Sequence, residues 1–452
     1  MLESALAGGE KWSRYSFIGL PARTVLRVRG DEVTVETDGN VVESHATADP
    51  LTFIQSFLGR FRVPEMPGLP PFIGGLVGYF SYDTVRYVEK KLRGSSPPDA
   101  LNTPDILLMV SDDVIVFDNV KGRMQLITLI DPATDPDALN IARARLRSLI
   151  GRLHGAVPPI AETSANQPLE ESDFQSEFGE TAFRQAVQRI KDYILAGDTM
   201  QVVLSQRMQT PFGSPPINLY RALRVLNPSP YMYYMDLQDF HIVSSSPEIL
   251  ARLEDGVITT RPLAGTRRRG HDRAEDLAFE QELLSDEKEL AEHLMLIDLG
   301  RNDVGRIAIT GSVTVPERMV IERYSHVMHI ASTVTGRLRA GMTAIDVLRA
   351  TLPVGTLSGA PKIRAMEIID ELEPSRRGIF GGAVGYLSWN GNMDTAIAIR
   401  TAIIKDGTLY LQAGAGVVAD SDARLEWKET MNKARAIIRA AALAERRFQD
   451  LE

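Results

Sequence analysis

A change of hydrophobic period near residue 200 does most to limit the fold of this chain. Phe183, Val187, Ile190 and Ile194 recur at helical spacing, and the pattern stops at Gly197-Asp198. Gln201-Val202-Val203-Leu204-Ser205 then reads as a buried strand. Helix followed at once by strand predicts α/β packing. Further strands are predicted over 241–246, 256–262, 382–389, 395–404 and 408–413, and helices over 275–299, 343–351, 360–370 and 423–446. Earlier in the chain, Val25 to Val28 and Val33 to Glu36 alternate around Gly30-Asp31 as a hairpin, and Gly74 to Phe80 is a glycine-bracketed buried strand. The sharpest compositional break is the proline-rich, polar stretch Gly155 to Ser172. It divides the chain into an amino-terminal domain over 1–154, a linker over 155–172 and a second domain over 173–452.

Composition removes several kinds of chemistry. The 452 residues include no cysteine, so disulfides, thiolate zinc sites and thiol nucleophiles are all excluded, and the chain cannot itself be a cysteine-dependent amidotransferase. A net charge of −9 argues against a general nucleic-acid surface. No apolar run approaches the roughly 20 residues of a membrane-spanning helix, and the start MLESALAGGEKW lacks the basic and apolar regions of a signal peptide. These features predict a cytoplasmic protein.

Two Glu-x-x-Glu pairs carry the strongest local chemistry. Residues three apart on a helix share a face with about 5–6 Å between Cβ atoms, so Glu289/Glu292 and Glu426/Glu429 each set two carboxylates side by side. Taken alone, such a pair is more often a solvated face. The first pair, however, continues into Leu296 and Leu299 within the apolar run His293 to Ile297, which predicts a buried helix. The second continues into Lys433, Ala436 and Ala440, with one cation beside the acids. Buried carboxylates need a compensating cation. Oxygen ligands without a cysteine or histidine cluster favour a hard ion, magnesium before zinc, bridging the two helices and leaving positions open for a substrate carboxylate.

Other segments offer anion-binding groups. Arg261 to Gly270 combines a proline-stiffened turn, the Thr266 hydroxyl and three consecutive arginines, although such a stretch is more often a solvated basic loop. Gln412 to Val418 contains Gly414-Ala415-Gly416, whose unobstructed backbone N–H groups can cradle a carboxylate or phosphate. Arg400 ends the strand Asp394 to Arg400 and is suited to bidentate carboxylate recognition. His293, His326 and His329 lie in or near apolar runs and form no metal motif; a lone histidine there is more often structural.

Taken together, RPLAGTRRRG, DEKELAEHLMLIDLGRND, SHVMH, LPVGTLSGAPKIRAM, GGAVGY, DTAIAIR, QAGAGVV and EWKETMNKA resemble the chorismate-utilising family, which includes anthranilate, aminodeoxychorismate, isochorismate and salicylate synthases. LESALAGGEKWSRYSFIG and NPSPYMYYM look like the regulatory segments of anthranilate synthase large subunits. The resemblance implies a chorismate-binding fold of α+β or α/β class, with large β-sheets packed in a sandwich and helices outside. It implies Mg2+ held directly by Glu292 and Glu429, with Glu289 and Glu426 reaching it through water. Thr266, next to Gly265, and His329 would meet the substrate ring. Arg400, Lys433 and the backbone from Gly414 through Ala415 to Gly416 would bind carboxylates.

Two positions select among relatives. Gln201 stands where water-using members of the family carry a basic lysine, and an amide cannot be that base. Ala264 stands where aminodeoxychorismate synthases often carry a nucleophilic lysine. Anthranilate synthase remains, or the relative that stops at 2-amino-2-deoxyisochorismate. Phe380 replaces a tyrosine common near the pyruvate portion, which bears on pyruvate elimination. A non-catalytic tryptophan-binding subunit is disfavoured by the intact acid pairs, Thr266, His329 and Arg400. Ser4, Arg14, Pro230, Tyr231 and Met232 resemble a feedback site for L-tryptophan. The resemblance further implies a separate glutamine amidotransferase subunit as the source of ammonia, in a heterotetramer of two large and two small subunits.

Overall fold

The computed structural model describes residues 1–5, 14–64, 66–133, 136–156, 169–324 and 327–446. Residues 157–168 of the expected linker, residues 6–13 of the resemblance at the start, and His326 lie outside the described residues.

Two large sheets organise these residues. The first runs in the order Gln175–Ser176, Gln201–Pro211, Thr408–Val417, Thr401–Lys405, Phe240–Ser246, Tyr231–Asp236, Leu2–Glu3, Tyr15–Gly19, Asp113–Asp118 and Arg123–Thr128. The second runs Leu263–Arg268, Val327–Arg337, Val257–Thr260, Ile249–Glu254, Met393–Ile397, Ala383–Ser388, Gly75–Phe80, Ile106–Ser111, Thr24–Arg29, Glu32–Thr37 and Asn40–Ala46. The pairings are antiparallel in both sheets, which selects α+β of the two expected classes. Strands from 1–154 pair directly with strands from 173–452, Leu2 opposite Tyr233 in one sheet and Gly78 opposite Gly385 in the other.

The sheets face each other through Val25, Tyr79, Leu107, Val384 and Ala396 of one and Tyr233, Ile242 and Ile403 of the other. Helices cover the outer faces. Pro216–Leu226 and Ala423–Glu445 pack apolar stripes on the first sheet, and Ala344–Thr351 and Glu287–Gly305 pack on the second.

Two expected elements are divided. The helix predicted over 275–299 is two helices, Arg273–Ser285 and Glu287–Gly305, separated at Asp286. The Asp286 side chain accepts from the N–H groups of Lys288 and Glu289, so it caps the second helix while its extended backbone ends the first. Hydrophobic period does not register this change, because the apolar spacing continues across it. The strand predicted over 395–404 is also two, Met393–Ile397 in the second sheet and Thr401–Lys405 in the first. Between them Arg400 adopts φ 47°, a left-handed turn that carries the chain from one sheet to the other.

Candidate active site

A second crossing lies beside the one at Arg400. Phe240–Ser246 pairs with Thr401–Lys405 in the first sheet, and Ile249–Glu254 pairs with Met393–Ile397 in the second. The chain therefore changes sheets at Pro247-Glu248 as well, next to Arg400. Ile397 N–H donates to the Glu248 carbonyl at 3.0 Å, and Ser245 N–H to the Arg400 carbonyl at 3.1 Å. Neither backbone can continue its own ladder there, so both side chains project at the junction of the sheets.

Arg400 has no carboxylate partner among the described residues, and burial pulls its guanidinium below the usual arginine range. A partly buried guanidinium with no carboxylate partner among the described residues is a site for an anion. Glu248 is 7% exposed, and burial pushes its carboxyl up to about 8 despite the Thr356 hydroxyl, Lys433 and Arg400 nearby. Thr356 Oγ1 donates to Glu248 Oε1 at 3.2 Å. At neutral pH Glu248 is thus a protonated acid beside two cations. Sequence reasoning missed this residue; the available signal was one acid set between Ser244-Ser245-Ser246-Pro247 and Ile249-Leu250.

Both acid pairs belong to the same electrostatic neighbourhood. Burial raises the Glu292 carboxyl, and the neighbouring charges of Glu289 and Glu429 raise it further. Burial and Glu429 likewise raise Glu426. Carboxylates of the Glu287–Gly305 and Ala423–Glu445 helices therefore face one another. The expected burial is uneven, however. Leu294 is 39% exposed, lying off the stripe of His293, Leu296, Ile297 and Val304 that packs inward, and on the other helix the Glu429 side chain is 47% exposed. Lys433 Nζ lies 2.8 Å from Glu429 Oε1 and donates to the Gly414 carbonyl at 2.9 Å. It is not the sole cation at the acids, since Arg267 Nη1 lies 3.3 Å from Glu289 Oε1.

The three arginines after Thr266 are engaged by the protein. Arg267 pairs with Glu282, Asp286 and Glu289, Arg268 with Glu275, and Arg269 with Asp276. They pin the Leu263–Arg268 strand to the two adjacent helices. Within that strand one extra residue between Ala264 and Arg267 bulges against Val327–Arg337. Gly265 takes φ 62° there, and a Cβ on it would lie 2.8 Å from Leu283 and 3.2 Å from Glu289, so only glycine brings this backbone up to the acid. The bulge also turns the Gly265 carbonyl to His329 Nδ1, 2.8 Å away, with Thr266 Oγ1 3.1 Å from the same nitrogen. A proton on Nδ1 donating to that carbonyl leaves Nε2 an acceptor. Burial holds His329 down to about 4, so the ring is neutral at physiological pH. His293 is buried, its Nε2 2.7 Å from Ser332 Oγ and its Nδ1 without a partner among the described residues.

Gly414, Ala415 and Gly416 lie within a strand and not in a loop. Ser205 N–H donates to Glu373 and Val203 N–H to Ser358, so the pairs Ser205–Gly414 and Val203–Gly416 exchange no ladder bonds. The N–H groups of Gly414 and Gly416 consequently point away from Gln201–Pro211. On that side Thr401–Lys405 pairs only as far as Leu411, which leaves the edge open. A Cβ on Gly416 would lie 2.6 Å from Gln201 Nε2. That amide reaches Glu292 Oε1 at 3.5 Å. Phe380 is buried against the Arg377 guanidinium, 5.7 Å from its ring centroid.

Ser4, Arg14, Pro230, Tyr231 and Met232 line a different cavity, of about 710 Å³. Tyr231 donates to Asp394 at 3.0 Å, Arg252 pairs with the same carboxylate, and Ser4 Oγ is buried without a partner among the described residues.

Comparison with known proteins supplies the family. The chorismate binding enzyme family matches residues 6–439. The chain belongs to the chorismate-binding enzymes. Anthranilate synthase component 1 of Pseudomonas putida is 61% identical over 446 residues, covering 98% of this chain and 90% of that protein. The component 1 protein of Pseudomonas aeruginosa is also 61% identical, over 447 residues, with the same shares covered. The crystal structure of anthranilate synthase component I from Streptococcus pneumoniae superposes with a TM-score of 0.84 at 39% identity, covering 96% of this chain and 94% of that one. In this chorismate-binding enzyme Lys433 acts electrostatically on Glu292 and Glu426 of the acid pairs and, together with Arg400, on Glu248.

Proposed function

We propose that this enzyme converts chorismate and ammonia to anthranilate and pyruvate, as the cytoplasmic large subunit of an anthranilate synthase at the first committed step of tryptophan synthesis. The observation that carries this reading is the Gln201 amide against Glu292, a neutral group where a general base would direct water to the ring. Ala264 supplies no competing nucleophile, and the relatives named anthranilate synthase component 1 agree.

In this reading Arg400 and Lys433 hold substrate carboxylates together with the N–H groups of Gly414 and Gly416. Thr266 and His329 hydrogen-bond the ring end. Glu248, protonated at neutral pH, gives its proton to the departing ring hydroxyl, which leaves as water while ammonia adds to the ring. Loss of a ring proton and of the enolpyruvyl group as pyruvate then yields the aromatic product.

The acids suit magnesium. Among the described residues no three His, Cys, Asp or Glu side chains close into a cage, but magnesium commonly takes one or two carboxylates and leaves its other positions to water and substrate oxygens. Glu292 and Glu429 would hold it directly, Glu289 and Glu426 through water. Bound there, it supplies Lewis-acid stabilisation of negative charge on the substrate.

Ammonia comes from a separate glutamine amidotransferase subunit, because this chain has no cysteine for glutamine hydrolysis. With chorismate, a magnesium salt and ammonium, the purified chain is expected to release fluorescent anthranilate and an equal amount of pyruvate. With glutamine instead, product is expected only once the partner is added. Glutamine use by the chain alone, or an amino-deoxy product without pyruvate, overturns the reading.

The cavity around Ser4 and Pro230 to Met232 suits L-tryptophan as feedback inhibitor. Pro230, Met232 and Phe17 offer an indole apolar surface, and the Ser4 hydroxyl can hydrogen-bond a polar group. Tryptophan is expected to inhibit the enzyme and raise its Tm, and Ser4→Ala to weaken both effects on the order of tenfold, a buried hydrogen bond being worth ~1–2 kcal/mol. Absence of inhibition and of any thermal shift in the unaltered enzyme excludes this role.

A further inference from the structure

Behind Glu248 lies a small cavity of about 30 Å³, lined by Glu248, Thr260, Gly300, Asp303, Gly355 and Thr356 among others. A water needs about 10–15 Å³ of such space, so the cavity has room for two. Thr260 is 7% exposed, and its Oγ1 has no hydrogen-bond partner among the described residues. A buried hydroxyl facing a cavity that also presents carboxyl and hydroxyl groups is ordinarily satisfied by water. Glu248, held by Thr356, and Asp303, 2.8 Å from Lys362 Nζ, line the same cavity. The Lys362 side chain is 17% exposed, so this pair adjoins solvent. Leu296, Leu299 and Val354 give the wall its apolar part, and Arg261 also borders the cavity.

We propose that water held by Thr260 in this cavity links Glu248 to the Asp303–Lys362 pair and returns a proton to Glu248 after each turnover. This rests on Glu248 being the acid of the reaction. The balance is simple: Glu248 loses a proton to the departing hydroxyl, the cavity water protonates the resulting carboxylate, and Asp303, recharged from bulk solvent beside Lys362, restores the water. The route serves when substrate or product occupies the front of the site. Burial raises the Asp303 carboxyl against the pull of Lys362. Thr260 acts through the water and is a positioning residue.

Two substitutions interrupt the path differently. Thr260→Val removes the hydroxyl at nearly constant volume. Gly300→Ala adds a Cβ 3.3 Å from Thr260 Oγ1 and takes up cavity space, in a helix that favours alanine. In rapid-quench experiments with chorismate, magnesium and ammonium, both variants are expected to complete the first turnover at the unaltered rate. Steady-state kcat then falls on the order of tenfold, the solvent deuterium isotope effect on kcat rises, and Thr260→Ser restores both. Unchanged kcat and isotope effect in the two variants overturn the relay. Glu248→Gln, run alongside, separates the premises: a normal first turnover there removes Glu248 as the acid, whereas a lost first turnover with unaffected Thr260→Val and Gly300→Ala removes only the relay.

Discussion

Replacing Glu292 by alanine is expected to lower kcat/KM for chorismate by about 10³-fold or more, the scale of losing several kcal/mol of metal-ion stabilisation, without unfolding the protein. Glu429→Ala should behave alike. Burial and the charges of Glu289 and Glu429 raise the Glu292 carboxyl, so in the free enzyme these acids repel and removing one relieves a cost. The chain has kept an arrangement that opposes its own stability, which is reasonable where a cation and an anionic substrate fill the gap. Titration with magnesium chloride checks this directly. The unaltered enzyme should gain activity and thermal stability, lose both on chelation and recover them on readdition, while the variants keep their Tm and no longer respond. A Glu292→Ala enzyme that remains active and responsive to magnesium refutes the assignment.

Glu248→Gln is expected to lower kcat by about 10²–10⁴-fold, the range for a lost general acid, and at the same time to stabilise the protein. The carboxyl rises from its ordinary value of 4.5 to about 8 in the folded chain. Between those values the folded state binds a proton that the unfolded state has released. Stability contributed by this group is therefore fully present below pH 4.5 and is lost as pH rises through 8. Glutamine has no such dependence and keeps an oxygen for Thr356. The gain in stability, read as Tm, should be larger at pH 9 than at pH 6, the free-energy gain reaching on the order of a few kcal/mol at the alkaline end. In the unaltered enzyme kcat/KM, measured at constant free ammonia, should decline above about pH 8 as the acid loses its proton. Equal pH dependence of Tm in the two proteins excludes a protonated Glu248 in the fold.

Much of the fold was legible because local period reports which face of an element is buried. The hairpin around Gly30-Asp31 forms as Thr24–Arg29 against Glu32–Thr37, and the helix ending near Gly197 precedes the strand from Gln201. The predicted helix over 423–446 is Ala423–Glu445. The breaks at Asp286 and Arg400 were not legible. One is made by a carboxylate capping a new helix and the other by a single left-handed residue, and neither interrupts the apolar pattern.

The site divides on the same line. Residue order alone establishes that Glu289 and Glu292, and likewise Glu426 and Glu429, share a helix face, that no thiol chemistry is possible, and that position 201 carries an amide. Each follows from composition or from spacing within one element. It took the folded chain to show that the two acid pairs face each other, that Arg267 to Arg269 pair with helix acids while Arg400 is left for an anion, and that Glu248 stands protonated beside it. Charge and desolvation depend on neighbours brought from distant parts of the chain. Glu248 and Arg400 become neighbours because two strand pairs change sheets side by side, a property of the topology that neither local sequence contains.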